Sequence, residues 1–129
     1  MSSSLGFYTL FTTLAAFFFA LTLAAPTSEL RTRDFGGKAT YFAVGLGSCG
    51  QQNVDSDYIV ALNPSTYAGG AHCGKQLRIT GKASGASATA TVRDKCPGCG
   101  PGDLDMSPSL FSHFEPLEKG TFQVEWKFL

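Results

Sequence analysis

Charge is scarce in this 129-residue chain and absent from its first 28 residues. Charged side chains make up 16% of the sequence, where about a quarter is ordinary for a soluble domain. The ten basic and ten acidic residues cancel and are scattered over the remainder. No basic patch is present to follow a phosphate backbone, which excludes nucleic-acid binding through an electrostatic footprint. No polybasic cluster is present to hold an anionic membrane surface. The two histidines, His72 and His113, are isolated, so neither a metal centre nor a Ser-His-Asp triad is indicated. No serine sits in a nucleophile elbow, and no nucleotide-binding motif occurs. No metal and no cofactor are expected.

What the chain does have near its start is a hydrophobic run. Leu5 to Ala24 reads LGFYTLFTTLAAFFFALTLA, and small residues follow it. An apolar stretch ending in small residues is the pattern of a secretory signal peptide, assigned here to residues 1–24 with Thr22 three positions before the cut. The run has no Lys or Arg in front of it, and its length of about 20 residues also fits a membrane anchor. The cysteines weigh for export. Residues 25–37 read as a polar lead-in or short pro-segment, and 38–129 as the folded domain. The expected product is secreted, extracellular, monomeric and free of the membrane once cleaved.

All four cysteines, Cys49, Cys73, Cys96 and Cys99, follow that segment. An even number in a small exported domain implies disulfides, for which three connectivities exist. Cys96 and Cys99 flank Pro97-Gly98 and are spaced to close a tight local ring, which would leave Cys49 with Cys73. A redox-active Cys-x-x-Cys normally opens a helix, whereas Gly100-Pro101-Gly102 opposes one here. Zinc would call for a second such pair.

The remaining pattern is that of an all-β domain. Strands are predicted over Lys38–Val44, Tyr58–Leu62, Gln76–Thr80, Ala86–Arg93, Asp103–Met106 and Thr121–Phe128, separated by Gly, Pro and Asn turn signals. Leu77 and Ile79 share one face, as do Phe122, Val124, Trp126 and Phe128, which marks Trp126 as core. Asn63-Pro64 stops the second strand. Ser107-Pro108 starts one helix, with Ser107 as N-cap and Leu110, Phe111 and Phe114 on its apolar side. Thr40 and Tyr41 must face opposite sides of their strand, which makes Tyr41 a candidate for core or groove.

In order along the chain, GKATYF, GSCG, YIVALNPSTY, HCG, VRDKCPGCG, DLDMSPSLF and FQVEW resemble the double-psi β-barrel family of expansin-like, RlpA-like and barwin-like proteins. The resemblance runs from Lys38 to Phe128 and is strongest to small secreted fungal proteins of one domain. It implies a six-stranded double-psi β-barrel with one or two short helices, and it supports pairing Cys49 with Cys73. It also implies a polar binding groove in which Thr40, Asp94 and Asp105 stand at the family positions, with Tyr41 beside them. Cys96 occupies the place where bacterial expansins carry a tyrosine.

The same resemblance limits the chemistry. Inverting hydrolysis needs an acid and a base. Relatives that hydrolyse glycosides place the base in the first-strand segment, here ATYFAVGLG, which has no carboxylate. The expected function is therefore non-hydrolytic action on cell-wall polysaccharide, with no catalytic residue assigned. Two alternatives stand beside it. One is inhibition of a secreted papain-like cysteine protease, through the loops at Gly45–Gly50 and Thr66–Gly70. The other is a lytic transglycosylase-like reaction that uses Asp105 as its single acid–base group. The expected partner is accordingly a polysaccharide or a secreted protease.

Overall fold

The structure is a computed structural model that describes residues 34–129. The predicted signal peptide and most of the lead-in lie outside the described residues. Six strands are present: β1 (Phe35–Tyr41), β2 (Ile59–Leu62), β3 (Gln76–Gly81), β4 (Ser87–Lys95), β5 (Leu104–Met106) and β6 (Phe122–Phe128). Two short helices accompany them, α1 (Pro64–Tyr67) and α2 (Pro108–Phe114). The strands close into a barrel in the order β1-β5-β2-β4-β3-β6. The pairs β1·β5 and β2·β4 are parallel, and the other four are antiparallel. This is the six-stranded double-psi β-barrel the motifs imply.

Alternation decides which side chains fill the interior. Leu77 and Ile79 of β3 and Val124 and Trp126 of β6 point inward, with Val60, Leu62, Val92, Leu104 and Met106 from the other strands. All are essentially fully buried, and each large aliphatic contributes about 1.5–3 kcal/mol by leaving water. Helix α2 adds Leu110, Phe111 and Phe114 to the same core. Strand β2 is buried along its whole length, which is why it reads as an unbroken apolar run. Trp126 is core as expected. Its ring stacks on Phe35 with centroids 4.2 Å apart, and its Nε1 donates to the Gly102 carbonyl at 2.9 Å.

Three local details differ from the sequence pattern. Strand β1 begins at Phe35 and ends at Tyr41, three residues earlier than predicted at each end. Gly36-Gly37, assigned to the polar lead-in, is strand instead, and Gly37 must be glycine because a Cβ there would lie 2.6 Å from the Gly102 carbonyl. Asn63-Pro64 stops β2 and also starts α1. The Asn63 Oδ1 accepts from the Thr66 amide at 3.1 Å, and Pro64 takes the first helical turn. Ser107 occupies the N-cap position of α2 but does not cap it with its side chain. Its Oγ donates instead to the Asp57 carbonyl, tying α2 to the segment before β2.

Both disulfides form, Cys49–Cys73 and Cys96–Cys99, and no free cysteine remains among the described residues. The first spans 24 residues and packs against the core, whereas the second spans 3. In the chain-entropy picture the long closure stabilises by roughly 3–4 kcal/mol and the short one by about 2.

Candidate functional site

Asp105 is the middle residue of the three-residue strand β5. In the ladder it stands opposite Thr40 of β1 on one side and Ala61 of β2 on the other. Ala61 is in turn opposite Asp94 of β4. Residues opposite one another across a ladder share a face of the sheet. Thr40, Asp105, Ala61 and Asp94 therefore form one row across four strands. The row faces away from the barrel interior, which its chain neighbours Ala39, Leu104, Met106, Val60 and Leu62 fill; Ala61 within it is itself covered, while Thr40, Asp105 and Asp94 are partly exposed.

Asp94 joins this row only through an irregularity. By strict alternation it would follow Val92 into the core. The register shifts by one residue between Val60 and Ala61, so Val60 opposes Val92 while Ala61 opposes Asp94. A bulge of this kind turns the following side chain to the other face.

The two carboxylates are held differently. Asp94 Oδ1 accepts from two backbone amides, Ser48 at 2.9 Å and its own neighbour Lys95 at 2.8 Å. The contact to Ser48 fastens the 45–50 loop to β4. Among the described residues Asp94 makes no ion pair with Arg93 or Lys95. Asp105 is half-buried and takes one hydrogen bond, from Thr40 Oγ1 at 2.8 Å. Burial pushes its pKa above the usual carboxylate value; the Thr40 hydroxyl opposes that shift, and the charge of Asp94 adds to it. Asp105 does not cap α2, and its side chain is free to face the row.

Tyr41 stands apart from these residues. It alternates away from Thr40 and sets its ring edge-on to Phe111 of α2, with centroids 4.9 Å apart and 39% of its surface exposed. Tyr67, the other tyrosine near a turn, is buried in the core beneath Lys95.

Two features of the site carry no clear sequence signal. Asp103 ties the site's edges together: its carboxylate accepts from the Lys38 amide at 3.0 Å and the Gly100 amide at 3.0 Å. The Cys96–Cys99 disulfide also lies beside Asp105, with both sulfurs and a carboxylate oxygen mutually within 4.8 Å. Because the sulfurs are bonded to each other, this trio does not offer a metal three free ligands. Only the β2·β4 register, invisible in the sequence, brings the disulfide loop to that place.

Residues 48–129 match the Barwin family. The chain belongs to that family. It is 39% identical over 99 residues to Allergen Asp f 7 of Aspergillus fumigatus, covering 71% of this chain and 36% of the allergen. It is 30% identical over 104 residues to a papain inhibitor of Streptomyces mobaraensis, covering 72% of this chain and 70% of the inhibitor. The solved Streptomyces papain inhibitor superposes with a TM-score of 0.67 at 27% identity, covering 75% of this chain and 94% of that one. The apo expansin of Clavibacter michiganensis also superposes at 0.67, with 26% identity, over 75% of this chain and 50% of the expansin. A point mutant of that expansin, solved in complex with cellohexaose, gives 0.67 at 25% identity. The chain thus spans about a third of the allergen's length and half of the expansin's. Barrel and relatives together place this Barwin-family chain among the RlpA-like and barwin-like double-psi β-barrels.

Proposed function

We propose that this protein binds cell-wall polysaccharide without cutting it, using Thr40, Asp105 and Asp94 as a polar floor. The observation that carries the reading is the single outward row those residues form around Ala61. Carboxylates accept hydrogen bonds and a threonine hydroxyl both gives and accepts, which suits sugar hydroxyls. Each well-made hydrogen bond to a charged group contributes about 1.5–3 kcal/mol. The expansin neighbour solved with cellohexaose supports the substrate class. Hydrolysis is not part of the proposal, because β1 brings Thr40 and no carboxylate to the row. Two disulfides support an oxidising, extracellular setting, with residues 1–24 as the cleaved signal and the barrel that begins at Phe35 as the working domain.

The test is retention on cellulose and chitin, run in parallel with papain-like proteases. Retention on polysaccharide is expected, with no reducing sugar released. Asp105→Asn and Asp94→Asn each weaken it about tenfold with the fold intact. Sustained sugar release abolished by Asp105→Ala would overturn the non-hydrolytic reading in favour of Asp105 as an acid–base group.

A second reading has one observation in its favour. The chain covers 94% of the Streptomyces papain inhibitor, far more than of the expansin. In that reading the loop at Gly45–Gly50, where Leu46 is 72% exposed, docks on a secreted cysteine protease. Inhibition of papain that survives both Asp substitutions, with no polysaccharide retention, selects it.

A further inference from the structure

We propose that the Cys96–Cys99 disulfide is an exchangeable redox centre with Asp105 as its proton donor, and that its substrates are dithiols or paired cysteine thiols. This does not depend on carbohydrate binding. No helix follows the pair directly, so its reactivity comes from the carboxyl beside it and not from a helix N-terminus, and four observations carry that. The sulfurs and the Asp105 carboxylate lie mutually within 4.8 Å, a separation that one water bridges. Cys96 and Cys99 are partly buried, as Cys49 and Cys73 are, but the Pro97-Gly98 tip between them is exposed and gives a thiol an approach. The loop is anchored independently of its S–S bond: the Cys96 amide donates to the Leu62 carbonyl at 2.7 Å, and the Gly100 amide to Asp103 at 3.0 Å. Opening the bond therefore leaves the two thiols near each other, ready to close again. Finally, Cys49–Cys73 packs against the hydrophobic core.

A substrate thiol loses its proton to solvent, and the thiolate attacks one sulfur of the pair. The S–S bond breaks, and the expelled sulfur takes the Asp105 proton through the bridging water. The second substrate thiol gives its proton to the Asp105 carboxylate and attacks the mixed disulfide. Oxidised substrate leaves, and the second protein sulfur takes up the proton first lost to solvent. Two electrons pass from the dithiol to Cys96–Cys99, and Asp105 ends protonated as it began. A thiolate reacts and a thiol does not, so a nearby acid that catches the leaving sulfur assists the step. Burial keeps Asp105 protonated to higher pH than an ordinary aspartate. The charged group acting on it is Asp94 of β4, across β2 from it, and Thr40 of the adjacent β1 is its hydrogen-bond donor.

The experiment is timed reduction of the folded, oxidised protein by dithiothreitol, with alkylation and mass spectrometry to score each cysteine pair across pH. Cys96 and Cys99 should be alkylated at least about tenfold faster than Cys49 and Cys73. Expressed per dithiothreitol thiolate, the rate should fall as pH rises through the Asp105 pKa. At acid pH it should exceed that of Asp105→Asn by about tenfold. Simultaneous opening of both disulfides, or Cys49–Cys73 opening first, overturns the proposal. So do equal rates in the two proteins at acid pH, where charge repulsion is absent from both. If Asp105→Asn does not fold, the unaltered protein decides: a per-thiolate rate independent of pH overturns the proton donor. Polysaccharide retention measured on the same samples separates a failure here from a failure of the binding proposal.

Discussion

Asp94 and Asp105 lie in the same outward row, one residue of β2 apart, and the barrel treats them in opposite ways. Asp94 is surrounded by backbone donors and holds a loop in place. Asp105 is half-buried with a single hydroxyl partner, and its charge is disfavoured. An aspartate that accepts two amide hydrogen bonds at one oxygen holds the fold with that oxygen and keeps the other for a ligand. One that is desolvated beside a like charge makes the fold less stable when ionised and gains a proton it can donate.

The sharpest way to break the comparison is to remove each carboxylate and measure stability by denaturant unfolding. Asp94→Ala should cost about 2 kcal/mol, since charge-assisted hydrogen bonds contribute about 1.5–3 and this site keeps some contact with water. Asp105→Asn should cost nothing at neutral pH or stabilise slightly. Equal losses at the two positions would erase the distinction.

The next effect is on ligand affinity. The tenfold weakening expected for Asp105→Asn on polysaccharide corresponds to about 1.4 kcal/mol. It should appear in a titration with cello-oligosaccharide while the melting temperature is unchanged.

A smaller effect is expected from Thr40→Val, which removes the one contact that lowers the Asp105 pKa. Carboxyl chemical shifts followed by NMR should show Asp105 titrating at higher pH than in the unaltered protein. The stability loss should stay near 1 kcal/mol, because water can replace the hydroxyl at this half-buried site. A downward shift would contradict the Thr40–Asp105 hydrogen bond.

The smallest effect is in the pH dependence of stability. With its folded pKa raised above the unfolded value, Asp105 binds more protons in the native state. Its contribution to stability is then most favourable below the unfolded pKa and declines as pH rises through the folded one. Subtracting the Asp105→Asn curve from that of the unaltered protein should leave this falling limb. A rising limb would mean that the charged form is the one stabilised.

Much of the barrel was legible because its strands obey simple periods. Leu77 and Ile79, or Phe122, Val124 and Trp126, alternate without interruption, and the burial pattern repeats that alternation. Gly36-Gly37 was not legible as strand, since the reason for glycine there is a backbone 65 residues further on. The candidate site divides in the same way. Thr40, Asp94 and Asp105 could each be placed by motif. What turns Asp94 onto the row is a register shift, and what brings Cys96–Cys99 near Asp105 is a parallel pairing. Neither leaves a local pattern. Tyr41 has the strand position that motif and alternation assign, but its ring goes to Phe111 because α2 offers an aromatic partner there.

The position of β1 in the barrel bears on how the chain folds during synthesis. The first strand to leave the ribosome is flanked by β5 and β6, the last two. Until residues beyond 104 have emerged, β1 exposes both edges with nothing to pair, and the barrel has no partial form that closes. Contacts so distant along the chain make for slow folding and a long exposure of unpaired strand. Lys38, at the middle of β1, puts a charge on that waiting edge, as strands at risk of mispairing commonly do.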